Sequence, residues 1–248
     1  MKQVHAPIIS NSEVMPGVYL IWLESPQIAT TAQPGQFVMV RCREECLLRR
    51  PLSIHQLADG NRKARLALLF TVVGKGTHWL SQCQADDNID LLGPLGNGYF
   101  IHPASHNLLL VAGGIGIAPL VFLAQEAVNQ NRSVTLLLGA STASQLYPRH
   151  FLLPEIELVI ATEDGTTGKK GKITDFLPDF VGWADQIFAC GPTSMYHSMA
   201  AQNQLLKTKP VQISLEVRMG CGRGICYGCT LKTKSGLKQV CKDGPIFD

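Results

Sequence analysis

A β-barrel followed by an α/β domain is the fold that the sequence predicts, with a small cysteine-rich segment at the end of the chain. Between residues 18 and 92, short apolar runs alternate closely with turns, which is typical of a small antiparallel barrel or sandwich. From residue 102 the apolar runs become continuous and glycine turns follow them, which indicates parallel strands buried on both faces. We expect three domains, comprising residues 1–101, 102–212 and 213–248.

The barrel strands are predicted from five apolar runs that are separated by polar or glycine-containing turns. In chain order these runs are VYLIWL, QFVMVRC, RPLSIHQL, ARLALLFTVV and DNIDLLGPLG. Because the runs are closely spaced and no long helical pattern separates them, neighbouring strands are expected to pair in antiparallel fashion.

The α/β domain is predicted from runs that are followed by a polar or glycine turn and often by a helix. They are NLLLVAGGIGIAPLVFLAQEAV, SVTLLLGAST, IELVIATEDG and ADQIFACGPTSMYHSMAAQ. The most apolar stretch, residues 108–124, has only 17 residues and contains three glycines and Pro119. It therefore predicts a buried strand, a glycine turn and the start of a helix rather than a membrane span.

Length, charge and the N-terminal sequence exclude several classes of protein. A chain of 248 residues suits two ordinary domains and can bury a large cofactor. The net charge of +3 is small, with Lys and Arg scattered, so nucleic acid is not an expected partner. Residues 1–14 contain no apolar run longer than four residues, so we expect no secretory signal. We expect a cytoplasmic protein in which Cys42, Cys46, Cys83 and Cys190 are plain thiols.

The C-terminal segment carries cysteines with the spacing C-x4-C-x2-C-x11-C. They are Cys221, Cys226, Cys229 and Cys241. This is the spacing of the plant-type [2Fe-2S] loop, in which four thiolates hold the cluster. The intervening glycines would let the backbone fold tightly and direct N–H groups at the sulfurs. A structural zinc site is the alternative, although such sites usually pair two C-x2-C units and this chain has one.

A glycine turn, VAGGIGIAP, lies between an apolar strand and a predicted helix at residues 111–119. Gly113, Gly114 and Gly116 would allow a diphosphate to approach the helix N-terminus, where unpaired N–H groups favour an anion. Pro119 occupies the last position of the G-x-G-x-x-G pattern, and a glycine turn alone is weak evidence. A tight connection without a ligand is therefore the alternative at this point.

Two segments of the barrel half also carry phosphate-binding residue types. In RRPLSI, residues 49–54, Arg50 could hold a phosphate with two hydrogen bonds and Ser53 could bond a ring edge. In FTVVGKGT, residues 70–77, Gly74 and Gly76 would permit a second close approach. Taken separately, both segments are equally compatible with an ordinary strand and an ordinary turn.

In combination and in this order, the Arg-Pro-Leu-Ser, Gly-Lys-Gly-Thr, Gly-Gly-Ile-Gly-Ile-Ala-Pro and Cys-Gly-Pro motifs make the chain resemble the ferredoxin-NADP reductase superfamily. The resemblance implies a barrel that binds FAD and an α/β domain that binds NAD as co-substrate. It assigns to FAD the residues Arg50, Pro51, Leu52, Ser53, Leu69, Phe70, Thr71, Gly76 and Thr77. It assigns to the nicotinamide nucleotide Gly113, Gly114, Gly116, Cys190 and Gly191. The chain has Leu52 where the superfamily often has an aromatic residue, and Thr71 where it often has arginine.

With SLEVRMGCGRGICYGC and VCKDGPIF added, essentially the whole chain resembles the electron-transfer subunits of bacterial dihydroorotate dehydrogenase B. This resemblance implies an oxidoreductase of pyrimidine biosynthesis that works with an FMN-containing dihydroorotate dehydrogenase catalytic subunit, in a heterotetramer of two plus two chains. Electrons from dihydroorotate would pass through the [2Fe-2S] cluster and FAD to NAD⁺. No residue of this chain is then expected to act as a catalytic acid or base, and Cys190 is expected to position the nicotinamide, with a buried structural thiol as the alternative.

Two other functions stay open at this level. One is a flavoprotein subunit that exchanges electrons between NAD(P)H and ferredoxin or polysulfide, which would carry the same cofactors. The other is a zinc-stabilised nucleotide-binding module or redox sensor. The GAST segment, residues 139–142, offers hydroxyl groups and no arginine clamp, which favours NAD over NADP.

Overall fold

The structure is a computed structural model and describes residues 1–43, 46–60 and 63–248, with the side chains of residues 59, 60 and 63 outside the description. Over these described residues the contacts divide the chain into two compact units. The first comprises Met1–Tyr99 and Leu215–Phe247, and the second comprises Phe100–Ser214 together with Asp248. The cysteine-rich segment thus packs with the barrel, and the three predicted domain boundaries stay a prediction.

The first unit contains a closed antiparallel barrel with the strand order β1-β2-β5-β4-β3-β6. Its strands are β1 (Lys2–Met15), β2 (Val18–Glu24), β3 (Phe37–Val40), β4 (Arg50–Gly60), β5 (Lys63–Thr71) and β6 (Asn88–Leu95). Two helices of the same part of the chain are α1 (Pro26–Ala29) and α2 (Lys75–Gln82). The predicted antiparallel barrel is confirmed, and it also includes β1, which precedes the first predicted strand. The polar residues that obscure β1 in the sequence lie mostly on its solvent-facing side.

The second unit contains a parallel sheet with the order β10-β9-β8-β7-β11-β12. Its elements are β7 (Asn107–Gly113), α3 (Ile117–Asn129), β8 (Ser133–Ala140), β9 (Glu157–Thr162), β10 (Lys169–Lys170), α4 (Pro178–Val181), β11 (Gln186–Cys190), α5 (Thr193–Ala201), α6 (Asn203–Leu206) and β12 (Val211–Ser214). The apolar stretch at residues 108–124 forms β7, a 3₁₀ turn at Gly114–Gly116 and the start of α3, as predicted.

The strand order reverses direction between β7 and β11. From β7 the chain proceeds outward through β8, β9 and β10, and it then returns to place β11 and β12 on the other side of β7. In open parallel sheets, ligands bind in the crevice outside the carboxyl ends of the strands at such a reversal. The loops that follow β7 and β11 are therefore where this sheet is expected to bind a ligand.

The C-terminal segment of the first unit forms a small cap on the barrel. Its elements are β13 (Thr230–Thr233), β14 (Gly236–Gln239), α7 (Val240–Asp243) and β15 (Ile246–Phe247). Met219, Val240 and Cys241 are buried against Phe37 and Met39 of the barrel. A Cβ atom at Gly222 would stand 2.6 Å from Cγ of Met39. The backbone of the cap therefore packs directly against a side chain of the barrel.

Among the described helices, none combines the length and the hydropathy that a membrane-spanning segment requires.

Candidate functional site

The structure brings the four cysteines of the C-terminal segment together as pairs. In the described chain the side chain of Cys221 interacts with that of Cys226, and the side chain of Cys241 interacts with that of Cys229. Cys229 and Cys241 are buried in the cap, Cys221 is half-buried and Cys226 is exposed. The loop therefore presents one pair towards solvent and keeps the other pair inside.

Backbone N–H groups of the same loop point at these sulfur atoms. Sγ of Cys221 accepts hydrogen bonds from the backbone N–H groups of Arg223 at 3.4 Å, Ile225 at 3.3 Å and Cys226 at 3.4 Å. Gly224 donates its N–H to Sγ of Cys241 at 3.1 Å, and Cys241 donates its own to Sγ of Cys229 at 3.4 Å. Gly222 and Gly224 have φ of +68° and +76°, a left-handed conformation that glycine adopts readily.

These N–H groups favour negative charge on Cys221. Burial alone would raise the pKa of Cys221, but the N–H groups of Arg223, Cys226 and Ile225, with the Cys226 thiol, lower it to about 6. Burial and the contact with the Cys229 thiol raise the pKa of Cys241 to about 12. The thiolate is the form that ligates a metal, so the loop is prepared to hold anionic sulfur at Cys221.

The donor set fits a two-iron cluster better than a single metal ion. A tetrahedral zinc site requires all its thiolates around one point, whereas a [2Fe-2S] cluster takes two thiolates on each iron. Two thiol pairs suit a [2Fe-2S] cluster, because the nearby N–H donors stabilise the negative charge of the sulfurs.

The glycine turn after β7 and the loop after β11 meet at the reversal of the strand order. A Cβ atom at Gly116 would stand 2.1 Å from the carbonyl oxygen of Cys190 and 2.7 Å from the backbone nitrogen of Gly191. Cβ atoms at Gly113 and Gly191 would stand 3.0 Å and 2.8 Å from Sδ of Met195. Glycine is required here because two backbones and one methionine side chain occupy the space of a side chain. Gly114, with φ of +53°, has open space at its Cβ position instead.

Tyr196 fixes this pair of loops, and sequence reasoning missed it. Its hydroxyl accepts a hydrogen bond from the backbone N–H of Gly191 at 3.1 Å and donates one to the carbonyl oxygen of Ser214. A tyrosine three residues into a helix carries no motif of its own. Its position four residues after Pro192 in the run CGPTSMY is the signal that could have identified it.

The barrel residues assigned to FAD lie at the start of β4, at the end of β5 and at the start of α2. Ile54 of β4 pairs with Leu68 of β5. Beyond this pair, the start of β4 from Arg50 to Ser53 lies opposite β3, and the end of β5 from Leu69 to Thr71 lies opposite β2. Together the two ends and the following helix carry Arg50, Pro51, Leu52, Ser53, Leu69, Phe70, Thr71, Gly76 and Thr77. Pro51, Leu52 and Ser53 are half-buried, and Leu69 and Phe70 are buried.

Arg50 is held beside the helix that follows β5. A Cβ atom at Gly76 would stand 3.1 Å from Nε of Arg50, and Nη1 of Arg50 donates to the carbonyl oxygen of Leu48 at 2.8 Å. Oγ1 of Thr77 accepts hydrogen bonds from the N–H groups of Val73 at 2.9 Å and Gly74 at 3.2 Å, and so closes the first turn of α2. The turn predicted at residues 74–77 is therefore the start of a helix.

The cysteines of the described residues form no disulfide bond. Burial raises the pKa of Cys42 to about 11, although the Arg50 guanidinium opposes this. Burial likewise raises the pKa of Cys83 to about 11. These two buried thiols stay protonated and unreactive at neutral pH, and Cys190 is half-buried.

Residues 216–248 match the family described as the iron-sulfur cluster binding domain of dihydroorotate dehydrogenase B. The chain is also 40% identical over 255 residues to the dihydroorotate dehydrogenase B (NAD(+)), electron transfer subunit, of Desulforamulus reducens, covering 99% of this chain and 96% of that protein. It is 37% identical to the subunit of the same name from Clostridium acetobutylicum over 97% and 93% of the two chains.

Solved structures show the same fold. One described under flavin-based electron bifurcation by the NADH-dependent reduced ferredoxin-NADP oxidoreductase has a TM-score of 0.87 and 31% identity, covering 98% of this chain and 88% of that chain. A ferredoxin NADP⁺ reductase from Neisseria gonorrhoeae with bound FAD and NADP has a TM-score of 0.68 at 18% identity, over 88% and 94% of the two chains. Sequence identity over nearly the full length, the cluster-binding segment and the barrel-plus-α/β fold agree, and the chain belongs to the family of electron transfer subunits of dihydroorotate dehydrogenase B (NAD(+)).

Proposed function

We propose that the chain passes electrons between a dihydroorotate-oxidising catalytic subunit and NAD⁺, in pyrimidine biosynthesis. One observation carries the proposal. The loop that holds the four cysteines directs backbone N–H donors at their sulfurs, and it packs on the barrel of a flavoprotein fold. When bound, the iron-sulfur cluster exchanges single electrons and FAD exchanges both single electrons and a hydride. The chain itself supplies binding, orientation and electrostatic tuning.

We assign the cluster to Cys221, Cys226, Cys229 and Cys241. The exposed Cys226 places one pair where electrons can enter from outside, and the buried Cys229 and Cys241 place the other pair against the barrel. The N–H groups of Arg223, Gly224 and Ile225 offset the negative charge of the thiolates. Residues 213–248 act in this proposal as a functional cluster domain.

We assign FAD to the start of β4, the end of β5 and the start of α2. Arg50 would pair with the diphosphate through its guanidinium, and Ser53 would hydrogen-bond the edge of the flavin ring. Pro51, Leu52, Leu69, Phe70 and Thr71 would line the cofactor, while Gly76 and Thr77 at the start of α2 would present N–H groups to phosphate. The support is that Arg50 lies against Gly76 at the start of α2, and that β4 and β5 pair next to these residues at Ile54 and Leu68.

We assign the nicotinamide nucleotide to the loops at the strand-order reversal. Gly113, Gly114 and Gly116 would admit the diphosphate to the start of α3, and Cys190 and Gly191 would face the nicotinamide ring. Cys190 acts by position here rather than as a nucleophile. The absence of an arginine in residues 139–142 supports NAD over NADP.

The name of the relatives implies a catalytic partner subunit. We propose that this partner carries FMN, that two copies of each chain form a heterotetramer, and that the complex is cytoplasmic. Cysteines without disulfide bonds among the described residues are consistent with a reducing compartment.

Co-expression with the candidate dihydroorotate-oxidising subunit tests the proposal. The two chains should copurify as a complex with flavin and iron-sulfur absorbance, and anaerobic addition of dihydroorotate should reduce NAD⁺. Copurification without NADH formation would contradict the assignment, and so would a colourless protein that contains zinc.

A second candidate function is electron exchange with ferredoxin. It is favoured by the 31% identity to a chain described under an NADH-dependent reduced ferredoxin-NADP oxidoreductase. The same purified protein distinguishes the two functions, because this candidate predicts NADH-dependent reduction of ferredoxin without the dihydroorotate-oxidising subunit.

A further inference from the structure

The side-chain amide of Gln239 is buried without a hydrogen-bond partner for its nitrogen. The residue is 8% exposed, and within the described chain Nε2 has no acceptor. A buried donor without an acceptor costs about 1–3 kcal/mol. Such a group therefore indicates that something else accepts its protons in the functional protein.

Gln239 stands among the segments that carry the thiol pairs. It ends β14, where it pairs with Thr230, the residue after Cys229, and it precedes Cys241 by two residues. Its Oε1 lies 3.1 Å from the position that a Cβ atom of residue 224 would occupy. Gly224 in turn donates its N–H to Sγ of Cys241 at 3.1 Å. The amide thus faces the cysteine loop at the position where glycine leaves room for it.

Within the described residues, the fold offers the amide nitrogen of Gln239 no acceptor. Gln239 precedes α7, but its side chain makes no capping hydrogen bond, and it is the backbone N–H that Asp243 accepts, at 2.7 Å. Rotation about the terminal bond exchanges the amide oxygen and nitrogen, so the group can present N–H donors to the loop. A buried glutamine that served packing alone could be replaced by an apolar residue without losing a bond.

We propose that the Gln239 amide donates a hydrogen bond to the sulfur atoms of the iron-sulfur centre and thereby tunes its reduction potential; this inference rests on the proposed cluster site. Reduction adds one negative charge to a centre that is already anionic, and a donor stabilises the reduced form more than the oxidised form. Gln239 is therefore a tuning residue that acts on the centre and ligates no iron.

The potential of the iron-loaded complex tests the inference. Gln239→Met keeps the length of the side chain and removes the donors, so we expect the equilibrium constant for reduction to fall about tenfold, which is about 59 mV for one electron. Gln239→Glu should lower the potential further, because it replaces a donor with an acceptor. Gln202→Met, the same change in the second unit, should leave the potential unchanged. Equal potentials in wild type, Gln239→Met and Gln239→Glu, each with full iron content, would overturn the inference.

A measurement on the wild-type complex keeps the inference testable if the variants do not retain iron. Glutamine labelled with ¹⁵N at the side chain alone should give a nitrogen coupling in the pulsed EPR spectrum of the reduced protein. No such coupling, in a sample with a normal cluster signal, would contradict the donor. A sample with no cluster signal at all would instead contradict the proposed cluster site, so the two failures are distinguishable.

Discussion

The hydroxyl of Tyr196 accepts a hydrogen bond from the backbone N–H of Gly191 at 3.1 Å. The same hydroxyl donates to the carbonyl oxygen of Ser214, at the end of β12. A side chain from α5 thus ties the loop after β11 to the end of the neighbouring strand. The proposed nicotinamide loop is therefore held by one phenol group, which can be removed by a single-atom change.

Tyr196→Phe removes that hydroxyl and keeps the ring. The Gly191 N–H then loses its acceptor at a cost of about 1–2 kcal/mol, and we expect the KM for NADH to rise roughly 5- to 30-fold. Dye-linked NADH oxidation measures this, with FAD content as the control for folding. An unchanged KM with full flavin content would show that Tyr196 does not position the loop.

Gly116→Ala places a methyl group 2.1 Å from the carbonyl oxygen of Cys190. The two loops must separate, so we expect the second unit to lose about 1–3 kcal/mol of unfolding free energy and NADH binding to weaken. Gly182→Ala is the matched control, because Gly182 has a similar backbone conformation and open space at its Cβ position. Equal stability and equal NADH affinity in the two variants would contradict the predicted contact.

Gly222→Ala tests how the cap is seated on the barrel. Its methyl group would stand 2.6 Å from Cγ of Met39, at a residue with φ of +68°. Gly236→Ala separates the two effects, since Gly236 has φ of +106° but open space at its Cβ position. We expect Gly222→Ala to cost about 1–3 kcal/mol more than Gly236→Ala and to reduce iron content. Chemical denaturation measures the unfolding free energy, and iron analysis measures the iron content. If Gly222→Ala and Gly236→Ala lose the same unfolding free energy, backbone strain alone explains the effect and the contact with Met39 does not.

Cys226→Ser replaces the exposed thiol of the outer pair. Serine oxygen is a poor ligand for an iron-sulfur centre, so electron transfer from the partner should fall about 100-fold. NADH oxidation by artificial dyes depends on FAD and should be largely retained. Cys83→Ser is the control, because it makes the same atomic change outside the cysteine loop. Loss of both activities with FAD still bound would argue that the cluster is more than an entry relay.

The parts of the molecule that depend on residue spacing and composition could be predicted from local sequence. Continuous apolar runs predict the parallel strands of the second unit. The cysteine spacing predicts the loop that contains Gly222 and Gly224. The seating of Gly222 on Met39 could not be predicted, because 183 positions separate the two residues and no local pattern encodes such a packing partner. β1 was missed since Lys2–Met15 alternates imperfectly and includes polar residues on its exposed side.

The polar contacts that complete the site were also beyond the sequence. Tyr196 and Gln239 lie near motifs but belong to none, and each acts through an atom at the end of a flexible side chain. Their roles depend on which backbone group or cavity that atom reaches in the folded chain. Residue type restricts such contacts to a set of donors and acceptors, and only the tertiary structure selects among them.

Because the first unit joins residues 1–99 to residues 215–247, its assembly is split in time on the ribosome. The face of the barrel that bears Phe37, Met39 and Leu95 has to wait for a covering segment that is translated after the whole second unit. The residues that cover this face include Cys229 and Cys241 of the cysteine loop, so the cover of the barrel and the loop are translated together. The order of translation thus places the residues that complete the core of the first unit at the end of its synthesis.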